Sequence, residues 1–232
     1  MAVKVFSSQV VGLKADIVDV EVDLTNGLHS FSIVGLPDKA VEEAKDRVCA
    51  AIKNSGFVSP KTRNQKVVVS LAPAEIKKEG PVFDLSIAMA YLLASKQVFF
   101  EAEGKIFLGE LALDGKIRSI KGVLSLVKNA KKLGFKEVFL PKDNAKEAAL
   151  IEGIKIFACE KLEDITNHFD KENTTNLIAQ PKTEINFDEF QNETLFDFGD
   201  VKGQETAKRG LEIAAAGGHN VMMSGPAGTG KT

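Results

Sequence analysis

The stretch that decides the fold is DIVDVEVDLTNGLHSFSIVGL, Asp16 to Leu36. Its first half places apolar side chains at every second position, and these are Val18, Val20, Val22 and Leu24. Such alternation is typical of a half-buried strand. The residues Thr25-Asn26-Gly27 tolerate a positive φ, and the alternation resumes at Phe31. The pattern therefore predicts a β-hairpin.

Helical patterns follow this stretch. Asp38 to Ser55 carries one apolar stripe, with Asp38 placed to cap its first turn. Asp84 to Ala94, DLSIAMAYLLA, is apolar nearly all round and reads as a central buried helix. A second hairpin is predicted around Asp114-Gly115, and two later helices over Val123 to Leu133 and Leu162 to Phe169. Because strands and helices mix with hairpins, residues 1–170 are predicted to form a mixed α/β (α+β) domain.

The chain changes character after this domain. Residues 171–196 are rich in Asn, Thr, Gln and acids and show little periodicity, so we interpret them as an acidic linker. Residues 197–232 form a third section. Here Glu205 to Ala216 predicts a helix and Asn220 to Ser224 a short apolar strand.

A phosphate loop comes directly after that predicted strand. GPAGTGKT matches G-x-x-x-x-G-K-[ST] at every fixed position, over Gly225, Pro226, Ala227, Gly228, Thr229, Gly230, Lys231 and Thr232. Glycines let the backbone N–H groups turn inward toward phosphate oxygens. Lys231 is expected to reach the β and γ phosphates, and Thr232 to offer its hydroxyl to Mg²⁺. The sequence therefore predicts binding of ATP and Mg²⁺.

Composition excludes several other classes of protein. The 232 residues are 44% hydrophobic and 27% charged with a formal net charge of −2, which is ordinary for a globular protein. The two cysteines, Cys49 and Cys159, have neither metal-ligand nor disulfide-framework spacing. Without a long apolar run or a signal peptide, we expect no membrane span and a cytoplasmic protein.

Two regions resemble a known family. Asp200 to Gln204, DVKGQ, followed by a helix and GPAGTGKT, looks like the opening of an AAA+ ATPase, in which Val201, Gly203 and Gln204 would lie near the adenine. The longer strings VKGQETAKRGLEIAAAGGHNVMMSGPAGTGKT, GLPDKAVEEAKDRVCAAIKNSGF and GELALDGKIRSIKGV resemble the magnesium-chelatase-like YifB/ComM family. The resemblance implies a hexameric ring ATPase acting on DNA, as in branch migration during competence. It also implies that residues 197–232 are the start of an AAA+ domain truncated at its phosphate loop.

The same resemblance gives residues 1–170 the fold of the Lon protease domain, which is similar to domain 2 of ribosomal protein S5. Lon uses a Ser–Lys dyad. The position after Lys78-Glu79-Gly80-Pro81, where the nucleophile would stand, is Val82, and the lysine position is Leu124. Neither side chain has a nucleophilic or basic atom. We therefore predict no catalytic residues and a non-proteolytic domain, and the fragment itself is expected to be inactive.

Other functional interpretations stay open at the level of sequence. Lys128, Lys131 and Lys132 share one helical face, which suits either DNA phosphates or a plain solvated surface. An ATPase of this type could also drive metal insertion into a porphyrin, as magnesium chelatase does. An ATP-dependent protease is disfavoured by the residues at the two dyad positions.

Overall fold

The structure, a computed structural model, describes residues 2–12, 14–173, 176–184, 197–228 and 230. Two compact units divide the chain, Met1–Glu184 and Ile185–Thr232. The strands of the first unit are β1 (Val3–Val11), β2 (Lys14–Asn26), β3 (Ser30–Val34), β4 (Gln65–Ala72), β5 (Lys105–Phe107), β6 (Glu110–Leu111), β7 (Ile117–Arg118), β8 (Glu137–Pro141) and β9 (Lys155–Cys159). Its helices are α1 (Lys39–Asn54), α2 (Asp84–Ala94), α3 (Val123–Lys132), α4 (Lys142–Ala148) and α5 (Leu162–Phe169).

A mostly parallel sheet organises the first unit. In the described residues its strands run in the order β3-β4-β2-β1-β5-β8-β9. The pairs β1–β2 and β2–β4 are antiparallel, and the other four pairs are parallel. Strands β6 and β7 form a separate hairpin across Asp114-Gly115, as predicted. The mixed α/β class is confirmed.

The predicted hairpin between β2 and β3 is wrong. Strand β4 lies between them, antiparallel to β2 and parallel to β3. The partner that forms a hairpin with β2 is β1, with Val3 opposite Val22 and Val11 opposite Lys14. The alternation correctly identified two strands with one buried face. It carries no information on which strand each one pairs with, because that depends on contacts distant in sequence.

Two hydrophobic cores lie on the two faces of this sheet. The larger core joins α1 and α2 to the inward residues of β1, β2 and β4, and every residue from Asp84 to Leu92 is buried. The smaller core joins α3 and α4 to β1, β5, β8 and β9. Burial of α2 on all sides explains why its sequence is apolar all round.

Asp38 fixes how the chain enters the layer of helices. One carboxylate oxygen accepts the Val41 N–H at 2.8 Å and so caps α1. The other accepts the Gly80 N–H at 3.1 Å, just before α2 begins. A single side chain therefore holds the first turn of α1 against the loop that leads to α2.

Gly35 should tolerate no side chain, because it adopts φ +109° beside β4. A Cβ there would lie 2.1 Å from the Leu71 carbonyl oxygen, which belongs to the backbone of the sheet. We expect Gly35→Ala to lower the free energy of unfolding by about 3 kcal/mol or more, combining left-handed strain with the clash. Urea denaturation of the 232-residue chain measures this loss.

Gly134 is the matched control for that substitution. It also has a left-handed φ, +88°, but a Cβ there would meet nothing within 4 Å. Gly134→Ala should therefore show only the strain penalty, about 1 kcal/mol. Equal losses in the two variants would contradict the role assigned to the Leu71 contact.

The second unit contains one helix in its described part, α6 (Glu205–Gly217), preceded by a 3₁₀ turn at Phe198–Asp200. The predicted strand at Asn220–Ser224 is wrong for this chain, since these residues pair with no strand in the described part. A lone extended segment has no ladder partner for its backbone groups. Val221, Met222 and Met223 are exposed by 49%, 94% and 46%.

The segment that follows α5 packs more closely than a linker pattern predicts. Residues 176–184, here called the strap, belong to the first unit. Ala179 bridges to Phe157 of the edge strand β9 in antiparallel fashion. Within the described residues, no helix is long and apolar enough to cross a membrane.

Candidate nucleotide-binding site

The phosphate loop is an exposed turn in its described part, which comprises Gly225, Pro226, Ala227, Gly228 and Gly230. Gly228 and Gly230 adopt left-handed φ angles of +79° and +71°. A Cβ at either position would meet nothing within 4 Å, so the backbone conformation, rather than lack of space, calls for glycine. Thr229, Lys231 and Thr232 lie outside the described residues.

Helix α6 precedes this loop in the chain. Its last residue is Gly217, and the C-cap residue Gly218 is left-handed with φ +63°. The His219 N–H donates to the Ala214 carbonyl at 2.8 Å. The His219 imidazole lies so near the helix end that a Cβ on Gly217 would be 2.4 Å from its Nε2 atom. Two consecutive glycines thus allow the sharp exit from α6 that the following residues need.

The predicted adenine segment leads into the other end of the same helix. Gly203 and Gln204 are both left-handed, with φ +69° and +59°, and Gln204 is the N-cap residue of α6. A left-handed conformation is uncommon for a residue with a Cβ and marks a sharp, defined turn. Val201, Gly203 and Gln204 are all exposed, so their side chains and backbone are open to a ligand.

The chemistry of the described loop suits an anion. Left-handed glycines are common in loops whose backbone N–H groups bind anions. Gly228 and Gly230 are both left-handed, and no side chain at either position obstructs an approaching phosphate.

Val82 and Leu124, predicted from the sequence to stand where Lon has its Ser–Lys dyad, have apolar side chains. Val82 lies in a 3₁₀ turn (Pro81–Phe83), is half-buried and packs against both cores. Leu124 lies in the first turn of α3 and is 38% exposed. The nearby Ser86 is buried, and its hydroxyl donates to the Phe83 carbonyl at 2.8 Å, which makes it a satisfied core serine.

The three candidate DNA-contacting lysines lie on α3 with exposed side chains. Among the described residues, Lys128, Lys131 and Lys132 make no ion pair within 4.0 Å. Lys131 and Lys132 fall in the last turn, where a cation also offsets the helix dipole. Their charges are available to an anionic partner.

Sequence reasoning missed a buried ion pair that joins α1 to α2. Arg47 donates through Nε to Asp84 Oδ2 at 2.7 Å and through Nη2 to Oδ1 at 3.0 Å. The Leu111 N–H of β6 also donates to Asp84, at 3.2 Å. Burial raises the pKa of Asp84 to about 6, although Arg47 opposes the rise, and the hydrogen bond to Asp84 raises the pKa of Arg47. The available signal was an acid opening an otherwise apolar helix.

A second missed residue is Lys78, which is fully buried. Its ammonium donates to the Pro73 carbonyl, and burial lowers its pKa. Its backbone also bridges two segments, since its N–H donates to Leu36 and its carbonyl accepts from Asp38. The lysine closes the loop before α2 and is not accessible to a substrate.

The mixed α/β unit and the segment that ends in the glycine-rich loop each match a magnesium-chelatase family, which places the chain among the magnesium-chelatase-like proteins. A family described as "Subunit ChlI of Mg-chelatase" matches residues 20–144, and a second described as "Magnesium chelatase, subunit ChlI" matches residues 197–232. Together these matches include the dyad positions and the whole phosphate loop. They leave residues 1–19 and 145–196 unmatched, and the second of these ranges includes the acidic segment 171–196.

Individual relatives narrow the class. The chain is 39% identical to the competence protein ComM of Haemophilus influenzae over 98% of its own length and 40% identical to YifB of Escherichia coli over 95%. It spans 44% and 42% of those two proteins. The DNA repair protein RadA of Aquifex aeolicus is 34% identical over 103 residues, which are 44% of this chain and 22% of RadA. The chain belongs to the YifB/ComM family of magnesium-chelatase-like AAA+ proteins.

Proposed function

We propose that this chain is the N-terminal part of a ring-forming AAA+ ATPase that acts on branched DNA, as a branch-migration or helicase motor. The observation that carries the ATPase part is the phosphate loop, with its complete motif and its left-handed Gly228 and Gly230. The DNA part is supported by the names of two relatives, a competence protein and a DNA repair protein.

The loop assigns a role to each of its residues in this proposal. Backbone N–H groups of the non-proline residues between Gly225 and Gly230 would hold the phosphates, and Lys231 would place its charge on the β and γ phosphates. Thr232 ligates the Mg²⁺ that accompanies ATP. Val201, Gly203 and Gln204 contact the adenine side. Bound Mg²⁺–ATP supplies the energy of hydrolysis, while these residues bind and orient it.

The first unit is proposed to have a Lon-protease-like fold without protease chemistry, over residues 1–170. Apolar side chains at Val82 and Leu124 support that proposal, because neither can attack a peptide or accept a proton. We assign this unit to assembly or substrate docking, 171–196 to the connection, and 197–232 to the opening of the AAA+ domain. The complete protein is proposed to be a cytoplasmic hexamer.

Metal insertion into a porphyrin is the second candidate function. The matching family is described as a magnesium-chelatase subunit, which favours metal insertion. We prefer DNA as the substrate because of the similarity to RadA, which covers 103 residues of this chain. Only 36 residues follow position 196, so the similarity to RadA extends into the first unit. If the complete protein hydrolysed ATP only together with other chelatase subunits, that result would favour metal insertion instead.

The test is the ATPase rate of the complete protein with and without a four-way DNA junction. We expect the junction to stimulate hydrolysis. We also expect replacing Lys128, Lys131 and Lys132 together by Ala to weaken junction binding at every sequence. Since each phosphate contact adds about 0.9 to the slope of log K against log salt, the slope should fall by up to about 2.7.

A matched triple variant separates a specific surface from a general loss of charge. Lys39, Lys45 and Lys53 lie exposed on α1, and their replacement by Ala removes the same three charges. That control should retain nearly the full salt slope. Equal effects of the two triple variants would reassign the α3 lysines to solubility, and no stimulation or binding by any DNA would overturn the DNA part of the proposal.

A further inference from the structure

The strap covers the edge strand of the sheet through contacts on three elements. The Gln180 N–H donates to the Ile156 carbonyl of β9 at 2.7 Å. Thr183 donates through its N–H to Ala149 at 3.2 Å and through Oγ1 to Lys146 at 2.6 Å. Lys182 pairs with Glu152 at 2.7 Å. The bond from Gln180 and the bridge between Ala179 and Phe157 cover part of an edge strand whose backbone groups would otherwise be unpaired.

The strap also contributes to the larger core on one side only. Leu177 and Ala179 pack against that core, while Ile178 between them is 88% exposed. This alternation is that of a short added strand. Because the described contacts that hold it are two apolar side chains, a few hydrogen bonds and one exposed ion pair, the strap is expected to open at lower free energy than the sheet beneath it.

A further hydrogen bond of the strap depends on a titratable group, the imidazole of His168. The Leu177 N–H donates to Nδ1 of His168 at 3.2 Å, which requires Nδ1 to be unprotonated. The imidazole lies against the rings of Phe139, Phe157 and Phe169, with centroid distances of 5.7, 5.0 and 5.2 Å. A protonated ring would turn a second N–H toward the Leu177 N–H and place a charge among these aromatic rings.

Two charged groups near His168 act on its pKa in opposite directions. Glu137 on β8 favours the imidazolium, and Lys105 on β5 disfavours it, and these two side chains pair with each other at 3.5 Å. Burial is the larger effect and lowers the pKa of His168. Within the strap, Lys182 pairs with Glu152 and lowers the pKa of that carboxyl through their hydrogen bond.

We propose that residues 176–184 form a latch on the β9 edge, closed when His168 is neutral and released when His168 is protonated. The latch ends at Glu184, the last residue of the first unit. The sign follows from linkage. Since the closed latch lowers the pKa of His168 below its ordinary 6.5, the histidine's contribution to closure is fully present above pH 6.5 and is lost as the pH falls through the lowered pKa.

Amide hydrogen exchange of the 232-residue chain, followed by NMR and corrected for intrinsic rates, tests the latch. Between pH 7.5 and 5.0 we expect the protection of Leu177 and Gln180 to fall, by at most tenfold for each pH unit between 6.5 and the lowered pKa of His168. The Val20 amide in the central strand β2 reports global opening, and its protection should stay well above that of the strap amides at every pH. His168→Gln should make strap protection independent of pH, because an amide does not titrate.

His29→Gln is the matched control, because His29 is exposed and lies far along the chain from the strap. This variant should show the same pH dependence as the unmodified chain. Strap protection that does not change with pH, or that changes equally in His168→Gln, would overturn the proposal. The tautomer of His168 is an independent measurement on the unmodified chain. A predominant proton on Nδ1 at pH 7.5 would overturn it even if the variants fail to fold.

Discussion

Replacing Lys231 by Ala in the complete protein is expected to lower its ATPase rate by at least about 100-fold. Lys231 supplies the one side-chain charge that the phosphate-loop motif places on the β and γ phosphates. Removing a preorganised group that stabilises charge in a transition state typically costs a factor of 10² to 10³. Steady-state phosphate release measures the loss.

Lys208→Ala provides the control in the same unit. Lys208 lies half-buried on α6 and pairs with the exposed Glu205, 3.5 Å apart. Because it lies outside the phosphate loop and the predicted adenine segment, its removal should change the rate little. Circular dichroism of both variants checks that they are folded. A Lys231→Ala protein that hydrolyses ATP at the unmodified rate would remove the phosphate loop from the proposed function and would leave the fold of the first unit untouched.

Arg47→Met is expected to lower the free energy of unfolding by about 3–5 kcal/mol. The substitution leaves the carboxylate of Asp84 fully buried without its cationic partner, and breaking a buried pair in this way costs that much. Replacing both residues, as Arg47→Met with Asp84→Leu, removes the unpaired charge and should recover most of the loss. Thermal or urea unfolding of the three chains, compared as a double-mutant cycle, measures the coupling.

The pH dependence of that loss has a defined sign. In the unmodified chain the pKa of Asp84 is raised from 3.8 to about 6, so the contribution of Asp84 to stability decreases as the pH rises from about 4 to about 6. Without Arg47, which lowers this pKa, the decrease should extend to higher pH. The Arg47→Met penalty should therefore be smaller at pH 5 than at pH 8.

A surface pair shows what a purely electrostatic effect would look like. Lys61 and Asp46 pair at 2.8 Å with more than half of each side chain exposed. Lys61→Met should cost less than about 1 kcal/mol. If Arg47→Met costs no more than Lys61→Met, the pair between α1 and α2 is not the structural link that its burial indicates.

Helices were predicted well because their signals are local. Asp84–Ala94 and Leu162–Phe169 begin and end where the sequence placed them, since apolar periodicity and flanking residues act within one or two turns. The cap at Asp38 was likewise predicted from one residue and its neighbours. The phosphate loop is another local signal, complete within eight residues.

Pairings between distant segments were not predictable in the same way. Alternation showed that β2 and β3 are strands, but β4 lies between them because its Val67, Val69 and Leu71 fill the same core. The bond between Leu177 and His168 and the ion pair between Arg47 and Asp84 are of the same kind. Each depends on two groups that only the folded chain brings together.

The sequence by itself determined the family, the phosphate-loop motif and the apolar residues Val82 and Leu124 at the predicted dyad positions. Those follow from residue identity at fixed spacing, which folding does not change. The tertiary structure alone decided the neighbour of each strand, the burial of Asp84 and the course of the strap over β9. The physical reason is that a buried charge or an edge strand gains its stability from partners far along the chain, and these partners come into contact only when the cores close.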